Sequence, residues 1–310
     1  MILTVTLNPC LHKFVKFRGT LDERIVVRPV ESSFQAGGKG INVARVVHRL
    51  GGDVTALTFV GGPVGEIFAE SIRAEGIRLE AVPMRASTRM STMVYAVDTG
   101  QFREFLEPGP EVDDKARTAF RSRFEQLAAR ADLVTLNGSV SDPRLDSFYA
   151  ECVAHLRKLG KRAIVDTYGR AAPLAAAALP FMLKANVDEV RESFGIAVED
   201  DTMVTQFADE WVGRGIEFVL ITDGARQARV FSRQGVRVLR PPPITEVNAV
   251  GSGDAMLGAL AFELARGSSV ENALSAACAA GAANAERLGI CDIERSRVAE
   301  LAGRVTASTS

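Results

Sequence analysis

The sequence predicts an α/β fold, with a central, mainly parallel sheet between helices and a small outer β-sheet. From about residue 113 onward, short apolar runs alternate with longer stretches of helical periodicity, which is the pattern of βαβ units. Residues 13–34 differ, because short alternating pieces are separated by charges, as in strands with one exposed face. We see no internal repeat or long linker, so the sequence predicts a single domain over residues 1–310.

Composition narrows the classes of function. The chain has 37 basic and 38 acidic residues, so its bulk charge does not indicate a nucleic-acid or membrane surface. The four cysteines are far apart and form no C-x-x-C pair, which favours a reducing compartment over a disulfide scaffold. The sequence shows neither a signal-peptide pattern nor an apolar run of about 18 residues. We therefore expect a cytoplasmic protein whose partners are neither nucleic acid nor membrane.

The first third of the chain supplies strands to both sheets and a glycine-rich helix start. Residues 1–6 are apolar and β-branched and predict a buried strand. Residues 36–52, AGGKGINVARVVHRLGG, predict a flexible turn, a helix with one apolar face and a Gly-Gly stop. The strand-like runs at 90–97 and 102–106 flank a hairpin signal, and we expect them to return to an antiparallel outer sheet with residues 13–34.

The rest of the chain predicts further strands of the central sheet, each preceded by a helical pattern. Open parallel sheets bind ligands beyond the carboxyl ends of their strands, so polar residues in those positions are candidate ligands. The predicted strands span residues 133–137, 162–166, 182–185 and 218–222. The polar residues that end or follow them include Ser139, Asp166, Lys184, Asn186 and Thr222.

A second glycine-rich helix start lies within residues 246–264, EVNAVGSGDAMLGALAFEL. Gly251 and Gly253 permit positive φ and close backbone approach, and the amides of residues 251–254 are expected to be unpaired. Such a helix start binds anions because its free N–H groups and its dipole point the same way. Asp254 would repel a resting phosphate, but it suits a general base that takes a proton from an attacking hydroxyl. The residues alone leave equally open an aspartate that only caps a helix after a glycine turn.

Other common nucleotide and hydrolase motifs are absent. The sequence has no G-x-x-x-x-G-K-[ST] motif, which argues against a P-loop protein, and no G-x-S-x-G hydrolase elbow. Met256 stands where a dinucleotide fingerprint requires glycine, so a Rossmann dehydrogenase is not expected. Three histidines without metal-ligand spacing argue against a transition-metal site.

Together, the two glycine-rich helix starts resemble the two signatures of the PfkB, or ribokinase-like, carbohydrate kinases. Matching motifs extend over nearly the whole chain: TLNP at 6–9, GGPVGE at 61–66, EPGP at 107–110, NGS at 137–139, KANVDE at 184–189 and VGSGD at 250–254. GGKGIN together with EPGP resembles the phosphosugar branch, which includes 1-phosphofructokinase, tagatose-6-phosphate kinase and minor 6-phosphofructokinase. The resemblance implies a ribokinase-like three-layer α/β/α fold and ATP and Mg²⁺ as cofactors. It also implies a β lid, formed by about 13–34 and 90–106, through which a homodimer forms.

The resemblance also implies roles for individual residues. Asp254 matches the catalytic base, and the amides of Gly251, Ser252 and Gly253 match the anion hole for the transferred phosphoryl group. The residues that match the nucleotide side are Lys184, Asn186, Thr222, Gly224 and Asn284, and those that match the Mg²⁺ element, which acts through water, are Asn186 and Glu189. The residues on the acceptor side are His12, Gly38, Lys39, Asn42, Arg89, Arg103 and Ser139. Of these, Lys39, Arg89 and Arg103 would face the phosphate already on the sugar.

One departure from the family pattern concerns the acceptor. The usual motif is NP-x-x-D, but this sequence has His12 in place of the aspartate. A carboxylate accepts two hydroxyl hydrogen bonds, whereas neutral histidine accepts one and donates one. The substitution therefore bears on which sugar is used, while the base, the anion hole and the Mg²⁺ element are present.

The sequence thus predicts a kinase that transfers the γ-phosphoryl group of ATP to a hydroxymethyl group of a phosphorylated ketose. Fructose 1-phosphate, tagatose 6-phosphate and fructose 6-phosphate are the candidate acceptors. Two alternatives remain open: a kinase of an unphosphorylated sugar or nucleoside, and a catalytically weak sugar-phosphate-binding protein.

Overall fold

The computed structural model describes residues 1–20, 26–198 and 201–309. Part of the predicted lid segment 13–34, residues 21–25, therefore lies outside the described residues. The strands are β1 (Ile2–Thr6), β2 (Cys10–Phe17), β3 (Glu31–Gly37), β4 (Val54–Val60), β5 (Arg78–Pro83), β6 (Arg89–Ala96), β7 (Phe102–Leu106), β8 (Leu133–Asn137), β9 (Arg162–Asp166), β10 (Met182–Asn186), β11 (Phe218–Asp223), β12 (Gln227–Ser232), β13 (Gly235–Arg240) and β14 (Thr306–Thr309). The helices are α1 (Lys39–Arg49), α2 (Gly62–Ala74), α3 (Asp114–Ala128), α4 (Phe148–Lys158), α5 (Ala171–Ala177), α6 (Val187–Phe194), α7 (Asp201–Arg214), α8 (Ser252–Ala265), α9 (Val270–Ala285) and α10 (Arg295–Ala302).

Within the described ranges, ten strands form the main sheet in the order β14-β13-β12-β11-β10-β9-β8-β1-β4-β5. The strands from β11 to β5 in that order are parallel, and β12, β13 and β14 continue the sheet antiparallel. The central strand β1, ILTVT, is buried along its whole length, as expected of a parallel strand covered on both faces. The predicted mainly parallel sheet is therefore confirmed.

Helices cover both faces of the main sheet. Ile2 belongs to an apolar cluster with α1, α8 and α9, whereas its neighbour Leu3 belongs to a second cluster with α3, α4 and α7. Because successive strand residues point to opposite faces, these two clusters are the two cores of a three-layer arrangement. Gly258 allows α8 to approach α1 closely, since an added Cβ would lie 2.6 Å from Val46 Cβ. No helix in the described ranges is both long enough and apolar enough to cross a membrane.

The outer sheet, β3-β2-β6-β7, contains four of the described strands. It unites the predicted strand regions before and after α1, but it is not wholly antiparallel, because β2 and β6 pair in parallel. β2 follows β1 and β6 follows β5, and β1 and β5 run in the same direction in the main sheet. Both segments of the chain therefore enter the outer sheet from the same edge, which accounts for the parallel pairing of β2 and β6.

Sequence reasoning missed the edge strands β5 and β14 and the hairpin strand β12. The edge strand β5 is only partly buried, and β14, TAST, is exposed throughout. Exposed edge strands lack the apolar pattern that marks a buried strand, so their sequence carries little signal.

Candidate active site

A cavity of about 1010 Å³ lies at the carboxyl ends of the parallel strands and extends to the outer sheet. Asn8, Gly138, Asn186 and Thr222 line it from the ends of β1, β8, β10 and β11, and Met93 lines it from the outer sheet. This is the position in which open parallel sheets bind ligands. Both glycine-rich helix starts reach the same cavity.

The start of α8 presents backbone amides to the cavity. Gly251 is the N-cap residue with φ 84°, and an added Cβ would lie 2.6 Å from Ile290 Cγ2. Within the described ranges, the amides of Gly251, Gly253 and Asp254 donate to no acceptor, whereas the Ser252 amide donates to the Ala249 carbonyl at 3.1 Å. The prediction for Ser252 is corrected accordingly: its amide closes the turn, and its neighbours remain available for an anion.

Asp254 is nearly enclosed and linked to α1. Its side chain is 6% exposed, and Oδ2 accepts a hydrogen bond of 2.8 Å from Asn42 Nδ2. Burial raises its pKa to about 6, while Lys39 lowers it, the Asp166 carboxylate raises it, and Asn42 and Lys184 lower it. A carboxylate with this pKa is ionised at neutral pH and still basic enough to accept a proton. The geometry therefore favours the base over a simple helix cap.

Two lysines and two carboxylates form a fixed network beside Asp254. Asp166 is fully buried, and its two oxygens accept hydrogen bonds of 2.8 Å from Lys39 Nζ and Lys184 Nζ. Burial opposes ionisation of Asp166, but the two ammonium groups outweigh it and hold its pKa below the ordinary value. Lys39 Nζ also donates to Glu189 at 2.5 Å, and although burial lowers the Lys39 pKa, the carboxylates of Asp166, Glu189 and Asp254 together raise it above its ordinary value. The network holds both ammonium groups at the cavity wall.

The two lysines of the network lie at different parts of the cavity wall, and Lys39 differs from its predicted role. Lys184 is beside the start of α8, since a Cβ added to Gly253 would lie 3.2 Å from its Nζ. Lys39 was predicted to face the sugar phosphate, but its ammonium contacts Asp166 and Glu189 and lies 5.4 Å from the Tyr168 ring centroid. Its charge is already compensated by two carboxylates, so the structure gives it a role in holding the network.

Asn186 and Glu189 form a capping box at the start of α6. Asn186 Oδ1 accepts a hydrogen bond of 2.8 Å from the Glu189 amide, and Glu189 Oε2 accepts one of 2.9 Å from the Asn186 amide. The described residues contain no group of three or more His, Cys, Asp or Glu side chains that could hold a metal ion. Asn186 and Glu189 supply hard oxygens, which are the ligand atoms that Mg²⁺ prefers.

His12 lies in the cavity wall on β2 and is 8% exposed. Burial lowers its pKa to about 4, and the charges of Arg45 and Arg89 act in the same direction, so the ring is neutral at pH 7. Its Nδ1 is buried and has no hydrogen-bond partner in the described ranges. The ring lies against Gly37, because an added Cβ there would be 2.0 Å from Nε2. His12 thus offers a neutral donor and acceptor where the family pattern has a carboxylate.

Arg89, Ser139 and Gly38, which were predicted for the acceptor side, also line the cavity. Arg89 donates to the carbonyls of Asn8, Pro9 and Glu107 at 3.3, 3.4 and 3.2 Å. Asn8 Nδ2 donates to Ser139 Oγ at 3.1 Å, and its Oδ1 is buried without a partner in the described ranges. Sequence reasoning did not place Asn8 in the site, although the Asn-Pro pair at the end of β1 was the available signal.

Arg103 is not brought to the cavity. It lies exposed on β7 opposite Val94, whereas its neighbour Glu104 lies opposite Met93 and lines the cavity. Successive strand residues point to opposite faces, so Arg103 points away. A strand assignment without its register could not separate these two faces.

Asn284 also differs from its predicted role as an adenine contact. It is 0% exposed, and its Nδ2 donates to the Val250 carbonyl at 2.9 Å and to Ser252 Oγ at 3.0 Å. Its Oδ1 accepts a hydrogen bond of 2.7 Å from the Cys291 amide. Asn284 therefore fixes the loop before α8 instead of lining the cavity.

Thr222 and Gly224, which were predicted for the nucleotide, line the cavity at the end of β11. Small or apolar residues supply much of the wall of this slot: Pro241, Pro242, Pro243, Ile244, Cys278, Ala282 and Ala285. The polar residues Asp223, Gln227 and Glu246 line the cavity as well. The run of three prolines was visible in the sequence, but the sequence did not show that it faces α9 across a slot.

A buried base beside free helix-start amides and a paired lysine is suited to moving a phosphoryl group onto a hydroxyl, which defines a phosphotransferase. Comparison with known proteins then identifies the family. The pfkB family carbohydrate kinase profile matches residues 6–296. The chain belongs to this family and is a carbohydrate kinase.

The relatives of this chain include a phosphofructokinase and a tagatose-6-phosphate kinase. The chain is 32% identical over 289 residues to ATP-dependent 6-phosphofructokinase isozyme 2 of Mycobacterium tuberculosis, covering 91% of this chain and 83% of that protein. It is 30% identical to tagatose-6-phosphate kinase of Staphylococcus epidermidis, covering 92% of each. The structure of phosphofructokinase-2 from Escherichia coli in complex with fructose-6-phosphate superposes with a TM-score of 0.86 at 26% identity and 98% coverage of both chains. These likenesses confirm the ribokinase-like fold.

Proposed function

We propose that this kinase transfers the γ-phosphoryl group of ATP to a hydroxymethyl group of a phosphorylated ketose. Fructose 1-phosphate, tagatose 6-phosphate and fructose 6-phosphate are the candidate acceptors. The observation that carries the proposal is the position of Asp254, beside the free amides of α8 and in the same cavity as Arg89. The names of the relatives support a phosphorylated acceptor.

In this reaction Asp254 takes the proton of the acceptor hydroxyl as its oxygen attacks the γ-phosphorus. Asn42 holds Oδ2 of Asp254, and the described residues donate no hydrogen bond to Oδ1, which is left for the hydroxyl. The amides of Gly251 and Gly253 stabilise the charge on the transferred group, because they are fixed before the reaction. Lys184, held by Asp166, adds a positive charge next to Gly253.

We propose Mg²⁺ as the cation and place it on the side of Asn186 and Glu189. The donors there are hard oxygens, and the side chain of Asp188 lines the cavity beside them. Bound Mg²⁺ would neutralise charge on the nucleotide phosphates. The capping box keeps the oxygens of Asn186 and Glu189 directed at the start of α6, where water can bridge them to the cation.

The outer sheet is proposed to act as the lid of a single kinase domain and as the surface of a homodimer in the cytoplasm. Its strands contribute His12, Arg89 and Met93 to the cavity, so a shift of the sheet would open or close the acceptor end. The same sheet exposes Phe34 and Phe105, which are 46% and 60% exposed. Exposed aromatic side chains on one small sheet favour a partner surface.

The test is ADP release with Mg-ATP across the three phosphoketoses and their unphosphorylated parents, on the wild type and on His12→Asp. We expect the wild type to use at least one phosphoketose, with kcat/KM about tenfold or more above that of its unphosphorylated parent, because a charged hydrogen bond contributes roughly 1.5–3 kcal/mol. Turnover confined to unphosphorylated sugars or nucleosides would favour the first alternative. Tight binding of a phosphoketose without turnover would favour the second.

The His12→Asp variant tests whether His12 affects the choice of acceptor independently of the phosphoryl transfer. If His12 selects the acceptor, the variant shifts kcat/KM between sugars while the Asp254-dependent reaction continues. Turnover by the variant alone would mean that His12 has redirected the site to other polyols or their phosphates.

A further inference from the structure

Arg45 is a buried charged residue that lies outside the cavity wall, although its charge lowers the pKa of His12. It lies on α1 one turn after Asn42, and its side chain is 1% exposed. Its Nε and Nη2 donate to the Glu75 carboxylate at 2.5 and 2.8 Å, and Nη2 also donates to the Ala36 carbonyl at 2.6 Å. Its Nη1 donates to Asn42 Oδ1 at 3.0 Å. The guanidinium thus joins the end of α2, strand β3 and the residue that holds the base.

The contact with Asn42 fixes which way its amide points. An asparagine amide has an oxygen that only accepts and a nitrogen that only donates. Because Arg45 occupies Oδ1, the nitrogen must face Asp254, where it donates to Oδ2 at 2.8 Å. The opposite orientation would direct the oxygen at a carboxylate and the NH₂ group at a guanidinium, which would leave both pairs repulsive.

We propose that Arg45 is a positioning residue for the catalytic base, acting through Asn42. Because Arg45 fixes the orientation of the Asn42 amide, Asn42 donates its hydrogen bond to Oδ2 of Asp254. Oδ1 of Asp254 is then left for the acceptor hydroxyl. Glu75 completes the chain by holding the guanidinium through two hydrogen bonds in a fixed plane. The proposal rests on the proposed function, in which Asp254 is the base.

The competing explanation is that Arg45 only stabilises the fold as a buried ion pair. Removing one partner of such a pair is strongly destabilising whatever the catalytic role. A loss of activity in an Arg45 variant therefore proves little. The two explanations differ in whether the loss depends on Asn42 and on the protonation of Asp254.

The experiment is a double-mutant cycle with Arg45→Met, Asn42→Ala and the double variant, assayed for kcat, the KM for ATP and the pH profile. We expect Arg45→Met to lower kcat by roughly ten- to a hundredfold with a nearly unchanged KM for ATP, since the lost interaction acts on the base. Its acid limb should move to higher pH, because Asp254 loses an oriented donor. In the Asn42→Ala background the same change should alter kcat by less than about twofold.

Arg49→Met is the matched control. Arg49 lies on the same helix, pairs with Asp292 at 2.7 Å, and has a side chain that is 39% exposed. Its removal takes away an arginine ion pair of α1 without contact to Asn42, so kcat and the acid limb should stay at wild-type values. If Arg45→Met does not fold, Arg45→Lys retains a charge opposite Glu75, and its single ammonium lacks the fork that reaches Glu75, Ala36 and Asn42 together. We expect the same shift of the acid limb in that variant.

Equal losses of kcat in the wild-type and Asn42→Ala backgrounds would overturn the proposal, as would an Arg45 variant with an unmoved acid limb. Wild-type turnover on the acceptor panel is measured first. If no acceptor is turned over, the proposed function fails and this role fails with it. If the wild type is active and the cycle is additive, only the role of Arg45 fails.

Discussion

The two glycine-rich helix starts share a sequence signal but provide different chemistry. Their N-cap residues, Gly38 and Gly251, both have positive φ, of 110° and 84°. At α8 the groups offered to a ligand are backbone amides, followed directly by Asp254. At α1 the first side chain, Lys39, is bonded to Asp166 and Glu189 at the cavity wall. One start offers free amides to an anion, and the other holds one end of a charged network.

This difference divides the work between the two ends of the cavity. Amides at a helix start do not titrate and lose no side-chain freedom, so they suit charge that develops in the transition state. In the proposed reaction, the acceptor end instead uses side chains from several strands, which would bind the sugar before and during phosphoryl transfer. Changes at the α8 end should therefore appear in kcat, and changes at the acceptor end in KM.

The largest effect is expected for Asp254→Asn, which removes the proposed base at the α8 end of the cavity. General-base catalysis contributes roughly 10²–10⁴-fold, so kcat should fall by about a thousandfold. The Kd for ATP should change little, because the amides of Gly251 and Gly253 remain in place. Steady-state ADP release and ATP titration by calorimetry measure the two quantities. Turnover near the wild-type rate would remove Asp254 from the role of base.

Thermal stability is the control for that variant. Burial raises the pKa of Asp254 to about 6 from an ordinary value of 3.8, so the folded protein holds this proton more tightly than the unfolded chain. The group therefore stabilises the fold fully below about pH 4, and this contribution is lost as the pH rises through about 6. Asp254→Asn should melt at or above the wild-type temperature at pH 7. A lower Tm would attribute the lost activity to misfolding.

The second expected effect is a single acid limb in the pH profile. Because Asp254 must be ionised to act as a base, kcat/KM should fall about tenfold for each pH unit below about 6. His12 has its pKa lowered to about 4, mainly by burial, so it stays neutral over this range and adds no second limb. The profile is measured from pH 5 to pH 8 with saturating ATP. A profile that stays flat from pH 8 down to pH 5 would contradict the raised pKa of Asp254.

The two ends also differ in how far the sequence predicted them. At the α8 end, Gly251, Gly253 and Asp254 are consecutive or nearly so, and local chain geometry brings them together at the cavity. The Ser252 amide was misassigned, because its acceptor, Ala249, depends on how the preceding turn closes. Asn284 was misassigned as well, because its side chain is bonded to that loop, a contact between residues 34 positions apart that no spacing rule predicts. The main sheet followed in the same way from apolar runs that alternate with helices.

The acceptor end depends on register and on contacts between distant residues. Arg103 and Glu104 are neighbours in sequence, and only the pairing of β7 with β6 shows which of them lines the cavity. Lys39 is separated by 127 and 150 residues in sequence from its partners Asp166 and Glu189. No local pattern could therefore show that its ammonium group is paired.

The smallest expected effect comes from comparing two arginines of the outer sheet, which tests the side chains of the acceptor end. Arg89→Ala should raise the KM for a phosphorylated acceptor roughly tenfold or more, since a hydrogen bond to a charged group contributes about 1.5–3 kcal/mol. Arg103→Ala, the matched variant, should leave that KM unchanged because its side chain points away from the cavity. The KM for the unphosphorylated parent sugar should respond to neither change.

Arg89 also donates to the Asn8 and Pro9 carbonyls, so a rise in both KM values would mean that it shapes the loop after β1 instead of binding the phosphate. An effect of Arg103→Ala equal to that of Arg89→Ala would mean that the outer sheet changes its register or position when the acceptor binds.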